Sequence, residues 1–263
     1  MKRTYEIHDL QPYVNWAYFY YAWQLRNPEQ QQKSREEAET VLHRLDGNYH
    51  VYALFQLFDC YSDGDDVIIS SPMKGLCRCP FLRQQAQGTD HLCLSDFIHP
   101  DKDRIGLFAT SVDHGLECDF DNDPYQKMMI QLLADRLAEA AAEKLHEEVR
   151  RKEWGYAPNE HLTMEELHAE RFQGIRPAVG YPSLPDTSLN FVLDELLQFK
   201  QIGIRLTESG AMKPHASVSG LMVALPEARY FSVGRIGEDQ LRDYAHRRGL
   251  PIQTMRKFLA SQL

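Results

Sequence analysis

The sequence predicts an α+β fold, and two observations carry that reading. Candidate strands and candidate helices gather in separate stretches instead of alternating, which speaks against a doubly wound sheet. No strand passes through a glycine-rich loop into a helix, so the dinucleotide-binding arrangement is absent as well. A chain of 263 residues can bury a sizeable core. No linker, repeat or low-complexity tract interrupts it, and residues 1–263 read as a single domain.

The elements follow in order. Residues 12–25 carry Tyr13, Trp16, Phe19, Tyr20 and Trp23 at helical spacing, a helix whose aromatic stripe reads as core. Residues 28–45 form a polar surface helix that stops before Gly47. Val51–Phe58 and Val67–Ser70 are strands joined through a Ser-Asp-Gly-Asp turn, a hairpin signal, and Ile105–Val112 adds another strand. The longest helix starts at Asp123-Pro124, a good N-cap followed by a residue preset for the first turn. From there Met129, Leu133, Leu137, Ala140, Ala141, Leu145 and Val149 form a core-facing stripe, beside an edge carrying Asp135, Glu139, Glu143 and His146. Thr163-Met-Glu-Glu166 has capping-box form and opens a short helix running toward Glu170. Thr187–Phe199 is a further helix, with Gly203 as its left-handed stop. Val218–Leu225 and Arg229–Ile236 read as an antiparallel pair, and two last helices, from Glu238 and from Ile252, are separated by Gly249.

Composition excludes several partner classes. A net charge of −9 argues against nucleic acid, whose binding depends on Lys and Arg neutralising phosphates. No apolar stretch approaches the roughly 18–20 residues of a membrane span, and the N-terminus lacks the sections of a signal peptide. Five cysteines, an odd number without an export signal, fit reduced thiols in the cytoplasm better than a disulfide framework.

The most informative stretch is Gly174-Ile-Arg-Pro-Ala-Val-Gly-Tyr-Pro182. Pro177 and Pro182 fix their own φ angles and drive Arg176 and Tyr181 toward extended backbone. A stiff loop results, presenting a guanidinium suited to gripping a carboxylate through two parallel hydrogen bonds. The same loop also reads as a rigid connector whose arginine pairs with a surface acid. Elsewhere the chemistry is sparse. Glu143-Lys-Leu-His146 has the spacing of carboxylate-bridged metal sites but lacks the second copy such sites need. Cys77-Arg-Cys79 is too short for structural zinc spacing. Ser217-Val-Ser219-Gly matches no nucleophile motif. No metal and no catalytic residue is expected, a pattern that fits a binding module better than a self-contained enzyme.

Several ordered segments carry a family resemblance: Asn15-Trp16 with Ala22-Trp23; Cys93-Leu-Ser-Asp-Phe-Ile98; Ile105-Gly-Leu-Phe-Ala109; the run from Leu132 to Tyr156; Gly174–Pro182; and Leu206–Gly220 followed by Pro226–Gly234. In this order they closely resemble the reactivation (activation) domain of cobalamin-dependent methionine synthase, over nearly the whole chain and least between residues 26 and 90. The resemblance implies a curved, largely antiparallel sheet with surrounding helices and a groove for S-adenosylmethionine. It implies docking on the cobalamin-binding domain of methionine synthase, or on another corrinoid protein, to methylate inactive cob(II)alamin reductively. A flavodoxin or similar reductase would supply the electron. In that scheme the chain is the reactivation part of a methyltransferase of methionine biosynthesis, not an enzyme by itself.

Carried over by motif, Arg176 holds the methionyl carboxylate, with the Ala178 backbone against it. Tyr181 faces the corrin, Glu139 and Glu170 lie near the sulfonium donor, and Tyr230 and Phe231 flank the adenosine end. Phe231 stands where the family usually has tyrosine, and Thr187 where it often has histidine. Asn15 stands where the family commonly has an aspartate that pairs with the ligand ammonium. Charged hydrogen bonds contribute roughly 1.5–3 kcal/mol against about 1 for neutral ones, so the loss corresponds to about tenfold in affinity. The Asp-x-His-x-x-Gly cobalamin-ligand motif is missing from this sequence. The chain thus reads as a fragment of a longer methionine synthase or as a separate reactivation subunit. The competing reading is a docking subunit that contacts a corrinoid protein without binding S-adenosylmethionine.

Overall fold

The computed structural model describes residues 1–120 and 122–263. Its frame is an antiparallel sheet of β1 (Lys2–Glu6), β2 (His50–Asp63), β3 (Asp66–Ser71), β4 (Gly75–Pro80) and β5 (Asp103–Val112). A separate small pair, β6 (Arg205–Leu206) and β7 (Met212–Lys213), precedes the sixth strand of the main sheet, β8 (Ser217–Met222). The order across the sheet is β4-β3-β2-β5-β8. The long β2 pairs along its length with β5, while its other edge is shared between β1 at His50–Leu54 and β3 at Asp59–Asp63.

The helices are α1 (Ile7–Leu10), α2 (Trp16–Ala22), α3 (Pro28–Leu45), α4 (Gly115–Cys118), α5 (Pro124–Glu148), α6 (Met164–His168), α7 (Leu189–Leu197), α8 (Glu238–Arg247) and α9 (Ile252–Phe258). Side chains alternate across the sheet as a pleat requires. Val51, Ala53, Phe55, Phe108 and Met222 face α5 and its buried Met129–Val149 stripe. Leu54, Phe58, Leu107, Ala109 and Leu221 face α7 on the opposite side. A third buried cluster joins α8 and α9 to Leu82, Val233 and Ile236. Among the described residues no helix is long and apolar enough to cross a membrane.

Most local signals hold. Asp123 caps α5 by accepting from Tyr125 N and Gln126 N at 3.0 and 3.1 Å. The Thr163–Glu166 capping box forms in both directions. The five cysteines are unpaired. Three expectations need correction. The helix expected over 12–25 is interrupted: a 3-10 turn at Gln11–Tyr13 precedes α2, and Asn15 caps α2 by accepting from Ala17 N at 3.1 Å. The helix expected over Thr187–Phe199 ends at Leu197, where Gln198 takes the left-handed conformation; Gly203 stops the 3-10 turn that follows.

Arg229–Ile236, expected as a strand beside β8, is irregular. The reason is competition for one edge. With β5 on one side, the free edge of β8 and its continuation at Val223 is taken by Ile175–Val179. Ile175 N donates to Val223 O at 2.9 Å, Leu221 N to Pro177 O at 3.0 Å, and Val179 N to Ser219 O at 2.9 Å. Gly220 permits this crossing, because a Cβ there would collide with the Pro177 carbonyl oxygen. The proline-rich loop is therefore clamped to the sheet by backbone, at an edge that would otherwise be left open.

Candidate functional site

The clamped loop faces α5 across a cleft of about 690 Å³, within the usual range for small-molecule sites. Asn15, Glu139, Glu170, Arg176, Ala178, Tyr181, Tyr230 and Phe231 all line this one cleft. Five separate parts of the chain supply them. Asn15 comes from the N-terminus of α2, Glu139 from α5, Glu170 from just beyond α6, and Arg176, Ala178 and Tyr181 from the clamped loop. Tyr230 and Phe231 come from the irregular segment after β8.

The Arg176 backbone is fixed by its own N–H, which donates to the Tyr230 hydroxyl at 2.9 Å. Its guanidinium pairs with Glu143 and lies 5.9 Å from the Phe108 ring centroid. Burial opposes the charge on Arg176, but Glu143, and after it Tyr230 and Glu139, together more than offset it and the guanidinium stays cationic. Glu139 is held from two sides: Arg136 donates at 2.8 and 3.3 Å, and the Tyr181 hydroxyl at 3.0 Å. Tyr181 is otherwise outward-facing, 49% exposed, on a tight turn closed by Gly180 N to Leu184 O and Leu184 N to Tyr181 O, both 2.8 Å.

Glu170 has a left-handed backbone at φ 57°, uncommon for a residue with a side chain, immediately after the end of α6. Burial, and after it the charge of Glu143, push its carboxyl above the ordinary value; Arg176 pulls the other way. The wall therefore carries three carboxylates, Glu139, Glu143 and Glu170, against two guanidiniums, Arg136 and Arg176. The excess of negative charge favours a cationic guest, while Arg176 supplies one anchor for a carboxylate.

A buried layer supports this wall from behind. The Glu143 and His146 positions, one turn apart, point into different environments: Glu143 into the cleft, His146 into the core. The His146 Nε2 lies 3.2 Å from the Tyr156 hydroxyl, and its ring stands edge-on to Phe172 at 4.8 Å. Burial, then the charges of Arg150 and Arg176, hold its pKa well below the usual 6.5. The folded chain keeps His146 neutral under conditions in which the unfolded chain protonates it. The contribution of His146 to stability is thus complete above about pH 6.5 and is lost as the pH drops below it, by about 1.4 kcal/mol per pH unit for one proton. Urea denaturation of wild type and His146→Gln between pH 7 and 5 should show this slope flattened in the variant. An identical slope in both would assign the proton uptake elsewhere.

Glu143, Arg136, Tyr18 and His168 also line the cleft and were missed in the sequence. The signal for Glu143 was present in the acidic edge of α5, but its partner lies 33 residues away. Arg136 and Tyr18 pair across two helices, with 5.7 Å between the guanidinium carbon and the ring centroid. Nothing local announces such a pair.

Comparison with known proteins identifies the family. A family model described as the activation domain of vitamin B12 dependent methionine synthase matches residues 6–249. A solved structure described as the MetH reactivation domain bound to AdoHcy is 36% identical, with a TM-score of 0.92, and the match covers 100% of this chain and 90% of that one. With the family model matching most of its length and the fold shared from end to end, this chain belongs to the activation-domain family of vitamin B12-dependent methionine synthase.

Proposed function

We propose that the cleft binds S-adenosylmethionine and presents it to a cobalamin-binding domain for reductive methylation of inactive cobalamin. The observation that carries the reading is the composition of the cleft: three carboxylates against the guanidiniums of Arg176 and Arg136, bounded by Tyr230 and Phe231. A ligand with a carboxylate, an ammonium, a sulfonium and a flat base has complementary groups for each of these. The bound AdoHcy in the similar structure supports the same ligand class. When bound, S-adenosylmethionine supplies an activated methyl group. This chain's residues supply grip and charge. Arg176 holds the carboxylate with the Ala178 backbone against it, and Glu139 and Glu170 place negative charge near the sulfonium. In this reading the chain works in the cytoplasm as one module, as the reactivation part of a methyltransferase, with a flavodoxin or similar reductase as electron source.

Tyr181 tests the presentation step. Its exposed ring at the mouth of the cleft offers a broad contact with few rotors, suited to a flat macrocycle on a docked partner. Tyr181→Ala should leave S-adenosylmethionine affinity within about threefold, well under one decade (1.4 kcal/mol), while impairing reductive methylation of a cobalamin-domain partner. Tyr181→Phe should retain most methylation. Parallel loss of binding, methylation and melting temperature in Tyr181→Ala would instead make the residue structural.

Asn15 gives a second test of ligand orientation. Its side-chain oxygen caps α2, a task an aspartate also performs, and a negative charge there is favoured by the helix terminus. Asn15→Asp should keep the fold and tighten S-adenosylmethionine binding by up to about tenfold. Unchanged affinity, measured by calorimetry, would place the ammonium away from Asn15.

A further inference from the structure

We propose that Glu143 selects the zwitterionic end of the ligand by exchanging its own partner: the incoming carboxylate takes Arg176, and the incoming ammonium takes Glu143. The proposal rests on S-adenosylmethionine-class ligands occupying the cleft.

Three observations lead to it. First, Glu143 and Arg176 form an ion pair at the cleft wall, yet Glu143 Oε2 and Arg176 Nε are both buried without a partner. Each group can take a further hydrogen bond, and buried polar atoms left alone are costly. Second, the other acids are less suitable. Glu139 already accepts from Arg136 and Tyr181, and neither Glu139 nor Glu170 is ion-paired with Arg176. Third, Asn15 carries no charge, so its amide oxygen cannot neutralise an ammonium.

Ligand geometry then narrows the choice. An α-amino acid carries its carboxylate and ammonium on one carbon. Once the carboxylate reaches Arg176, the ammonium must sit beside that guanidinium, where Glu143 already is. Charge balance points the same way. A plain carboxylate entering this corner would compete with Glu143 for one cation, with Glu170 also facing the cleft. A zwitterion brings the missing cation with it, so both carboxylates end paired. Glu143 thereby discriminates amino acid ends from simple acids.

The test is calorimetric titration of wild type, Glu143→Gln and Glu143→Asp with three probes: S-adenosylmethionine, S-adenosylhomocysteine, and an S-adenosylhomocysteine analogue lacking the α-amino group. Wild type should prefer the amino-bearing probes by about tenfold or more. Glu143→Gln should reduce that preference to about threefold or less, equally for the sulfonium and thioether probes, because both carry the ammonium. Glu143→Asp, which keeps the charge, should retain most of it. A preference unchanged in Glu143→Gln would overturn the assignment, as would equal binding of all probes by wild type, a result independent of how any variant folds. No binding of any probe by wild type would overturn the ligand reading itself, and this inference with it.

Discussion

Arg150→Ala is expected to destabilise the fold by about 3–5 kcal/mol, the scale for breaking a buried ion pair by removing one partner. The Arg150 side chain is 0% exposed and donates to both Glu160 oxygens, at 2.6 to 3.0 Å. Its guanidinium carbon also lies 4.4 Å from the Phe172 ring centroid, and Phe172 packs against His146. Truncation leaves the Glu160 carboxylate in low dielectric without a cation and opens a void under Phe172. The melting temperature should fall by roughly 10 °C. The cost lies in the stranded charge more than in the lost attraction, so a paired apolar replacement, Arg150→Met with Glu160→Leu, should recover part of it. A loss below about 1 kcal/mol in Arg150→Ala, the level of an exposed pair, would show that solvent reaches this pair. Because Phe172 lies between Glu170 and Gly174, the same variant should also weaken ligand binding.

Arg176→Ala is expected to weaken S-adenosylmethionine binding by about 2–3 kcal/mol, or roughly 30- to 150-fold. The loop that carries it is clamped to β8 through Pro177 and Val179 and to Val223 through Ile175, so the backbone should survive the loss of the side chain. What goes is a planar donor fork held in place before the ligand arrives. Arg176→Lys separates charge from geometry: it keeps the cation but not the fork, and its affinity should lie between the two. The fold should tolerate Arg176→Ala better than Arg150→Ala, because the Glu143 side chain left behind is 21% exposed at the cleft, whereas that of Glu160 is 9% exposed. Equal affinity in wild type and Arg176→Ala would remove Arg176 from the site.

Features determined within a few residues were legible in the sequence. The cap at Asp123, the stripe along α5, the capping box at Thr163 and the hairpin between β2 and β3 all follow from local pattern. The edge strands were not legible. β1 is short and charged, and β4 reads Gly-Leu-Cys-Arg-Cys-Pro, without a convincing alternation; both are strands because β2 and β3 offer free hydrogen-bonding edges. Arg229–Ile236 failed in the opposite sense. Its pattern suits a strand, but the edge it needed is occupied by Ile175–Val179.

The site divides along the same line. Composition of the loop alone singled out Arg176 and Tyr181, since two prolines beside a cation and an aromatic ring imply rigid presentation. Asn15, Glu139, Glu170, Ala178, Tyr230 and Phe231 came from the family resemblance. No local rule joins α2, α5 and the segment after β8 at one cleft. Glu143 was read as part of the acidic edge of α5 and as half of a metal spacing, but not as a site residue, because its role depends on a partner 33 residues away.

Calorimetric titration of the wild-type chain with S-adenosylmethionine is the decisive experiment on this cleft. Saturable binding at one site is expected, weakened by Arg176→Ala and competed by S-adenosylhomocysteine. Absence of binding by a folded wild-type chain would contradict it, leaving a docking subunit that meets a corrinoid protein without carrying a methyl donor.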